Sequence, residues 1–301
     1  MRITEKITPK MTISMAMRTT PRMAMTMIVL LAFLGLVGTG WADTPVSGGN
    51  AKPSETKPPF SAIFRCASLA ISNGWSTNNA GILCGGADSD SPPVCGVLAA
   101  RLGWNENLLA ILCQGATATS NDGPIQCATA ALASGWENTL TAVLCSGATS
   151  YSPIQCSIEA LALGWNANRT AVLCDGAPTD DYNGPVKCAG IALAQGWNAD
   201  DAAILCQGAT SYAPVQCGRA ALSYGWNPTN GAVLCSAAAI KTVEASIQCG
   251  FTARGYGWDG NLSAQLCSTT ATDDPVKCGL MALALGWNLN NAATLCYKAK
   301  P

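Results

Sequence analysis

Sixteen cysteines and no histidine bound the chemistry open to this chain. The cysteines fall into pairs: Cys66 with Cys84, Cys95 with Cys113, Cys127 with Cys145, Cys156 with Cys174, Cys188 with Cys206, Cys217 with Cys235, Cys249 with Cys267 and Cys278 with Cys296. Members of every pair stand 18 residues apart, and the spacing from one pair to the next alternates 11 and 14. Without His or a C-x-x-C pair, zinc fingers, c-type haem and His-dependent nucleophilic catalysis have no components. An even set of thiols in an exported chain reads as disulfides. The constant separation predicts that each pair closes on itself. A bridge between neighbours would ask one geometry to serve two loop lengths, and would strand Cys66 and Cys296.

Nine residues after each first cysteine stands a tryptophan: Trp75, Trp104, Trp136, Trp165, Trp197, Trp226, Trp258 and Trp287. Each is preceded by Gly and followed by a polar residue, mostly Asn. Along one edge of a regular array, such indoles beside amides are what stacking on a sugar ring and bonding its hydroxyls require. The same Gly-Trp turn also suits an indole folded over helix ends and packed on the next unit, the reading a fixed turn favours; exposure decides between them. Loop acids Asp122, Asp180, Asp181, Asp273 and Asp274 lack EF-hand spacing and read as solvated. No metal, no cofactor and no catalytic residue is predicted. Asn168-Arg169-Thr170 and Asn261-Leu262-Ser263 match N-glycosylation sequons.

The elements that position these residues are helical. Pro124, Pro153, Pro185, Pro214 and Pro275, three residues before a first cysteine, suit the first turn of a helix. In the third unit Ile125, Ala128 or Thr129, and Leu132 form the expected apolar face, beside Cys127 and Ala131. An Ala recurs four residues after each first cysteine, at Ala70, Ala99, Ala131, Ala160, Ala192, Ala221, Ala253 and Ala282, and allows close helix approach. The Gly before the Trp stops this helix in a left-handed conformation. Ser76, Asn105, Glu137, Asn166, Asn198, Asn227, Asp259 or Asn288 then starts a second helix as N-cap. It runs to a Leu-Cys pair and, in five units, a second Gly.

The fold class is therefore all-α: a right-handed α-hairpin repeat array, an α-solenoid, of eight disulfide-stapled helix-turn-helix units in four 61-residue pairs. Tetratricopeptide and Sel1-like repeats are similar in their helix-pair layout, but their period and Gly/Tyr signatures are missing, so the likeness carries no function. The seventh unit departs most, with Arg254, Gln265 and Thr269 at positions elsewhere mostly aliphatic, aliphatic and Gly. Its Arg is a candidate for meeting a partner.

Composition places the array outside a reducing cell. Arg2, Lys6, Lys10, Arg18 and Arg22 precede the apolar run Met27 to Val37 and the small residues ending at Ala42. Residues 1–42 read as a signal peptide, because the run is shorter than the ~18–20 residues of a span. Residues 43–60 read as a flexible linker, and 61–301 as the repeat domain with no membrane span. Setting the five basic residues and Glu5 of the first segment against the chain's 17 and 18 leaves twelve basic and seventeen acidic residues, thinly spread. That is no nucleic-acid footprint. The sequence thus points to a secreted, periplasmic or cell-surface scaffold, without catalysis, that binds a protein or glycan partner. The alternative is a structural component of a coat, wall or filament.

Overall fold

A computed structural model describes residues 60–236, 238, 243–268 and 270–300. The segment read as a signal peptide, and all but Phe60 of the one read as a linker, lie outside these residues. Among the described residues there are sixteen α-helices and no strands. Eight first helices are α1 (Ser61–Ser72), α3 (Ser91–Arg101), α5 (Gly123–Ala133), α7 (Ser152–Ala162), α9 (Gly184–Ala194), α11 (Ala213–Ser223), α13 (Val243–Gly255) and α15 (Asp274–Ala284). Eight shorter partners alternate with them: α2 (Thr77–Leu83), α4 (Glu106–Leu112), α6 (Asn138–Leu144), α8 (Ala167–Cys174), α10 (Ala199–Leu205), α12 (Pro228–Leu234), α14 (Gly260–Leu266) and α16 (Leu289–Leu295).

Each hairpin follows from four side-chain choices. The Gly before the Trp takes φ between 84° and 93°, conformations that a side chain disfavours. This lets the Trp N–H donate to the carbonyl of the recurring Ala five residues back, as in Trp165 to Ala160 and Trp226 to Ala221, both at 3.1 Å. That bond closes a Schellman turn. Seven of the eight next residues then cap the second helix, their side-chain oxygen accepting the N–H three residues on; Glu137 makes no such bond.

Finally, a disulfide joins the start of the first helix to the end of the second in every unit. The bridges run from Cys66 to Cys84, Cys95 to Cys113, Cys127 to Cys145 and Cys156 to Cys174 in the first four units. In the last four they run from Cys188 to Cys206, Cys217 to Cys235, Cys249 to Cys267 and Cys278 to Cys296. Cα–Cα distances are 5.5 to 5.7 Å throughout, and none of the bridges joins neighbouring units.

The buried stripe of the first helix is narrower than the sequence suggests. In α5 it consists of Gly123, Pro124, Cys127, Ala128 and Ala131, while Leu132 is exposed. The reason is the disulfide: drawing Cys127 to Cys145 on the second helix turns Leu132 to the outer wall.

The ends of the array meet. Each short helix packs between the short helices of the units before and after it, and α16 packs on α2. At the junction of units 2 and 3, Gly147 N–H donates to Leu112 O at 3.0 Å; between units 4 and 5, Gly208 N–H donates to Leu173 O at 3.2 Å. The seam repeats this bond, from Gly86 of unit 1 to Leu295 of unit 8 at 3.1 Å. The indoles agree. A β-carbon at Gly231 would lie 3.9 Å from Trp197 of the preceding unit, and one at Gly81 would lie 3.6 Å from Trp287 of unit 8. The eight hairpins form a ring, short helices inside and longer helices outside.

Candidate functional site

The indoles act first as wedges between units. A β-carbon added at Gly96, Gly218, Gly250 or Gly279 would stand 2.6 to 3.0 Å from Cζ2 of Trp75, Trp197, Trp226 or Trp258, respectively. Each of these glycines directly follows the first cysteine of the next unit. The other four units carry Ala67, Ala128, Ser157 and Ala189 there, all fully or almost fully buried. Three of the four indoles facing a Gly are buried; Trp75, Trp104, Trp136, Trp165 and Trp287 are half-buried. The position after the cysteine carries only Gly, Ala or Ser, a restriction legible in the sequence that marks the slot.

Loop acids and unusual residues also have local work. Asp122 accepts from Gln126 at 2.8 Å, Asp181 pairs with Lys187 at 3.1 Å, and Asp273 and Asp274 flank Lys277 at 3.0 and 3.3 Å, holding its ammonium pKa above the ordinary lysine value. Arg254 lies 5.4 Å over the ring of Trp226, and Phe251 tilts against the same indole. Gln265 donates to Thr294 Oγ1 of the neighbouring unit at 3.2 Å. Thr269 is outside the described residues. Thr170 and Ser263 of the two sequons are fully buried, whereas Asn168 and Asn261 are exposed.

One rim of the ring, at the Gly-Trp turns, carries apolar side chains that packing does not use. Leu102, Leu163, Tyr224 and Leu285 recur at 61-residue intervals and are 62%, 69%, 54% and 64% exposed. In the intervening units the same position holds Asn73, Ser134, Gln195 and Tyr256. A groove of about 500 Å3 beside this rim is lined by Trp136, Glu137, Leu140, Leu161 and Asn168.

The inner helices surround the ring axis. On each inner helix the residues one, three and four before the second cysteine are buried against neighbours and the outer layer. The residue two before it is half-buried in every unit, and the only direction left open to it is the ring axis. This belt reads Ile82, Ile111, Val143, Val172, Ile204, Val233, Gln265 and Thr294. Helices 8–10 Å apart place eight axes on a circle of about 11 Å radius. Subtracting the 5–6 Å a helix occupies with its side chains leaves a bore roughly 10 Å across.

Both mouths of the bore are polar. At the turn end Asn79 Nδ2 donates to Glu106 Oε1 at 2.8 Å, a bond that with the Ser76 N–H holds the Glu106 carboxyl below its usual range. On the same mouth Arg169 pairs with Asp200 at 2.6 Å, lowering the carboxyl pKa and raising that of the guanidinium. At the disulfide end the residue after the second cysteine is never aliphatic: Gly85, Gln114, Ser146, Asp175, Gln207, Ser236, Ser268, Tyr297. Gln207 donates to Asp175 at 2.5 Å, and Ser236 to Gln207 at 3.3 Å.

Lys298 reaches into this mouth from unit 8. Its backbone is left-handed, φ 57°, and its ammonium lies 4.7 Å over the ring of Tyr297. Burial pushes the Asp175 carboxyl up to about 7, against the pull of Lys298 and of the Gln207 bond. For Lys298 burial disfavours the charge, but Tyr297 and then Asp175 outweigh it and the ammonium is held above its ordinary value. Asp175 belongs to unit 4 and Lys298 to unit 8, on opposite sides of an eight-membered ring, so their mutual field crosses the bore. Asp175 is half-buried and Lys298 exposed at this mouth. Beside Lys298 the seam opens into a cavity of about 920 Å3 that also meets Phe60, Ile63, Asp88, Thr272 and Lys300.

No protein-family model and no curated protein matches the chain. Among the described residues no group of His, Cys, Asp and Glu could hold a metal ion, and no helix is long and apolar enough to cross a membrane. The eight disulfides suit an oxidising environment. The class that fold and surfaces define is a disulfide-stapled helical ring with an apolar-studded rim and a lumen.

Proposed function

We propose that this chain is an exported, non-catalytic binding ring that engages an extended or repetitive protein partner through its Gly-Trp rim. The observation that carries the reading is the period of the exposed apolar residues. Leu102, Leu163, Tyr224 and Leu285 are more than half exposed at a strict 61-residue repeat, where alternate units use mostly small or amide side chains. Scattered single exposed leucines need no explanation, but a repeated set on one rim marks an interaction surface. Leucine dominates the set, which favours a protein over a glycan, and of the indoles suited to sugars three are buried and five half-buried. Four weak copies on a rigid frame add through avidity.

The test compares the oxidised mature protein with a variant in which Leu102, Leu163, Tyr224 and Leu285 are all replaced by Ser. Both serve as bait on the same extracellular fraction and on a glycan array, and both are sized in solution. A partner retained by the parent and lost by the variant, with single replacements weakening it about tenfold each, supports the reading. Equal retention by both proteins, or a glycan signal untouched by the variant, would overturn it.

A further inference from the structure

We propose that the lumen is a second binding site, for a single-chain anionic amphiphile: a carboxylate or similar monoanionic head at the disulfide-side mouth, and an unbranched alkyl tail along the bore. The belt residues carry the first part of the argument. Ile82, Ile111, Val143, Val172, Ile204 and Val233 are half-buried and face the axis, while units 7 and 8 place Gln265 and Thr294 at the same position without loss of the hairpin. Packing therefore tolerates a polar side chain there. Six aliphatic choices of eight, at a half-buried position on the inner face of the ring, describe a surface for an apolar guest.

The head group follows from the mouth. Lys298 stands over Tyr297 in a left-handed backbone that non-glycine residues seldom adopt. Its partner across the bore, Asp175, is not within ion-pair distance and is tied to Gln207. The ammonium is exposed at this mouth and only partly compensated, and it shares the mouth with the amide and hydroxyl groups of Gln114, Ser146, Gln207, Ser236 and Ser268, which can bond an oxyanion. A cationic head would meet Lys298 and is excluded by the same geometry.

Length is set by the polar ends. Each inner helix spans about seven residues at a 1.5 Å rise, so the path from the Lys298 mouth to the polar residues six before each second cysteine, from Asn78 to Asn290 and all Asn, Thr or Asp, is roughly 10 Å, an extended tail of about eight carbons. Aromatic side chains are absent from the belt, which argues against a sugar in the bore.

Titration of the oxidised mature chain with carboxyl-labelled octanoate, read by calorimetry and by the carbon-13 resonance, tests this. One saturable site per chain is expected, weakened about tenfold on shortening to hexanoate and no tighter for dodecanoate. Acetate and octyltrimethylammonium should not compete. Lys298→Met should weaken octanoate at least tenfold, and Ile204→Trp should weaken binding by narrowing the bore. Because a tryptophan could distort the ring, Ile204→Gln, which copies Gln265, serves as the mild variant and should also weaken binding. The fourfold Ser variant of the rim should bind octanoate as the parent does. No saturable uptake at millimolar octanoate, affinity that keeps rising with tail length, or loss in the rim variant with retention in the lumen variants would overturn the proposal. The rim and the lumen can therefore fail separately.

Discussion

Replacing Gly250 by Ala puts one methyl group where the structure has an indole. The added carbon would stand 2.7 Å from Cζ2 and 3.0 Å from Cη2 of Trp226, against the 3.5–4.0 Å of an ordinary contact. Trp226 must then move outward by about 1 Å or the two units must separate. The chain itself displays the relaxed arrangement: where the slot residue is Ala or Ser, the preceding indole is half-buried, while Trp226 is 5% exposed. Overpacking of this kind costs about 1–3 kcal/mol. Removing a helical glycine returns roughly 0.5–1 kcal/mol, so a net loss of about 1–2 kcal/mol is expected. Gly190→Ala is the matched control, because it sits in α9 with nothing within 4 Å of an added β-carbon and should be stabilising. Guanidinium unfolding of the oxidised proteins, with tryptophan emission followed in parallel, reads both. Gly250→Ala should lower the midpoint and shift emission to the red; Gly190→Ala should raise the midpoint and leave emission unchanged. If the two variants gain stability alike, the indole is not seated against Gly250 and the account of unit packing is wrong.

Two further outcomes follow from the mouth and the seam. The folded ring keeps a proton on Asp175 that the unfolded chain has released above about pH 4, so stability should fall as pH rises from about 4 to 7 and level off above. Asp175→Asn should remove that slope in guanidinium midpoints measured across the range, and an unchanged slope would assign it elsewhere. Gly86→Val and Gly147→Val meet equivalent obstacles, since a β-carbon at either would lie 2.5 Å from a backbone oxygen of the preceding unit, at φ 66° and 57°. Each should cost on the order of 1–3 kcal/mol, but only Gly86→Val should enlarge the molecule in small-angle scattering, because only the seam lacks a covalent link.

The hairpins are legible in the sequence because their signals are local. Gly and Trp fix the turn, Asn or Asp caps the second helix, and the constant separation of pairs such as Cys66 and Cys84 selects the bridge. Closure into a ring is a property of the angle between units, which no single position states. A signal is present all the same: units 1 and 8 carry the same small residues and Trp as inner units, with Ala67, Gly81 and Trp287 in place, and lack the polar outer face that terminal repeats of open arrays need. Trp287 needs a slot, and Ala67 a wedge. The stripe through Leu132 fails for a related reason, since helical period alone does not say that a disulfide rotates the helix. Nor does the sequence bring Asp175 to Lys298, 123 residues on, because only closure sets them across one bore.

An array without ends treats its number of copies differently from an open one. In an open stack a tandem duplication adds length and leaves every existing interface unchanged, so such genes gain and lose repeats readily. Here each unit must turn one-eighth of a circle, and the Gly86–Leu295 bond forms only if all eight do. Deleting one 61-residue pair would ask six units for one-sixth of a turn each, through the same indole slots. Copy number is thus a shape parameter under selection, and homologous chains should differ in their loops and rim far more freely than in their count.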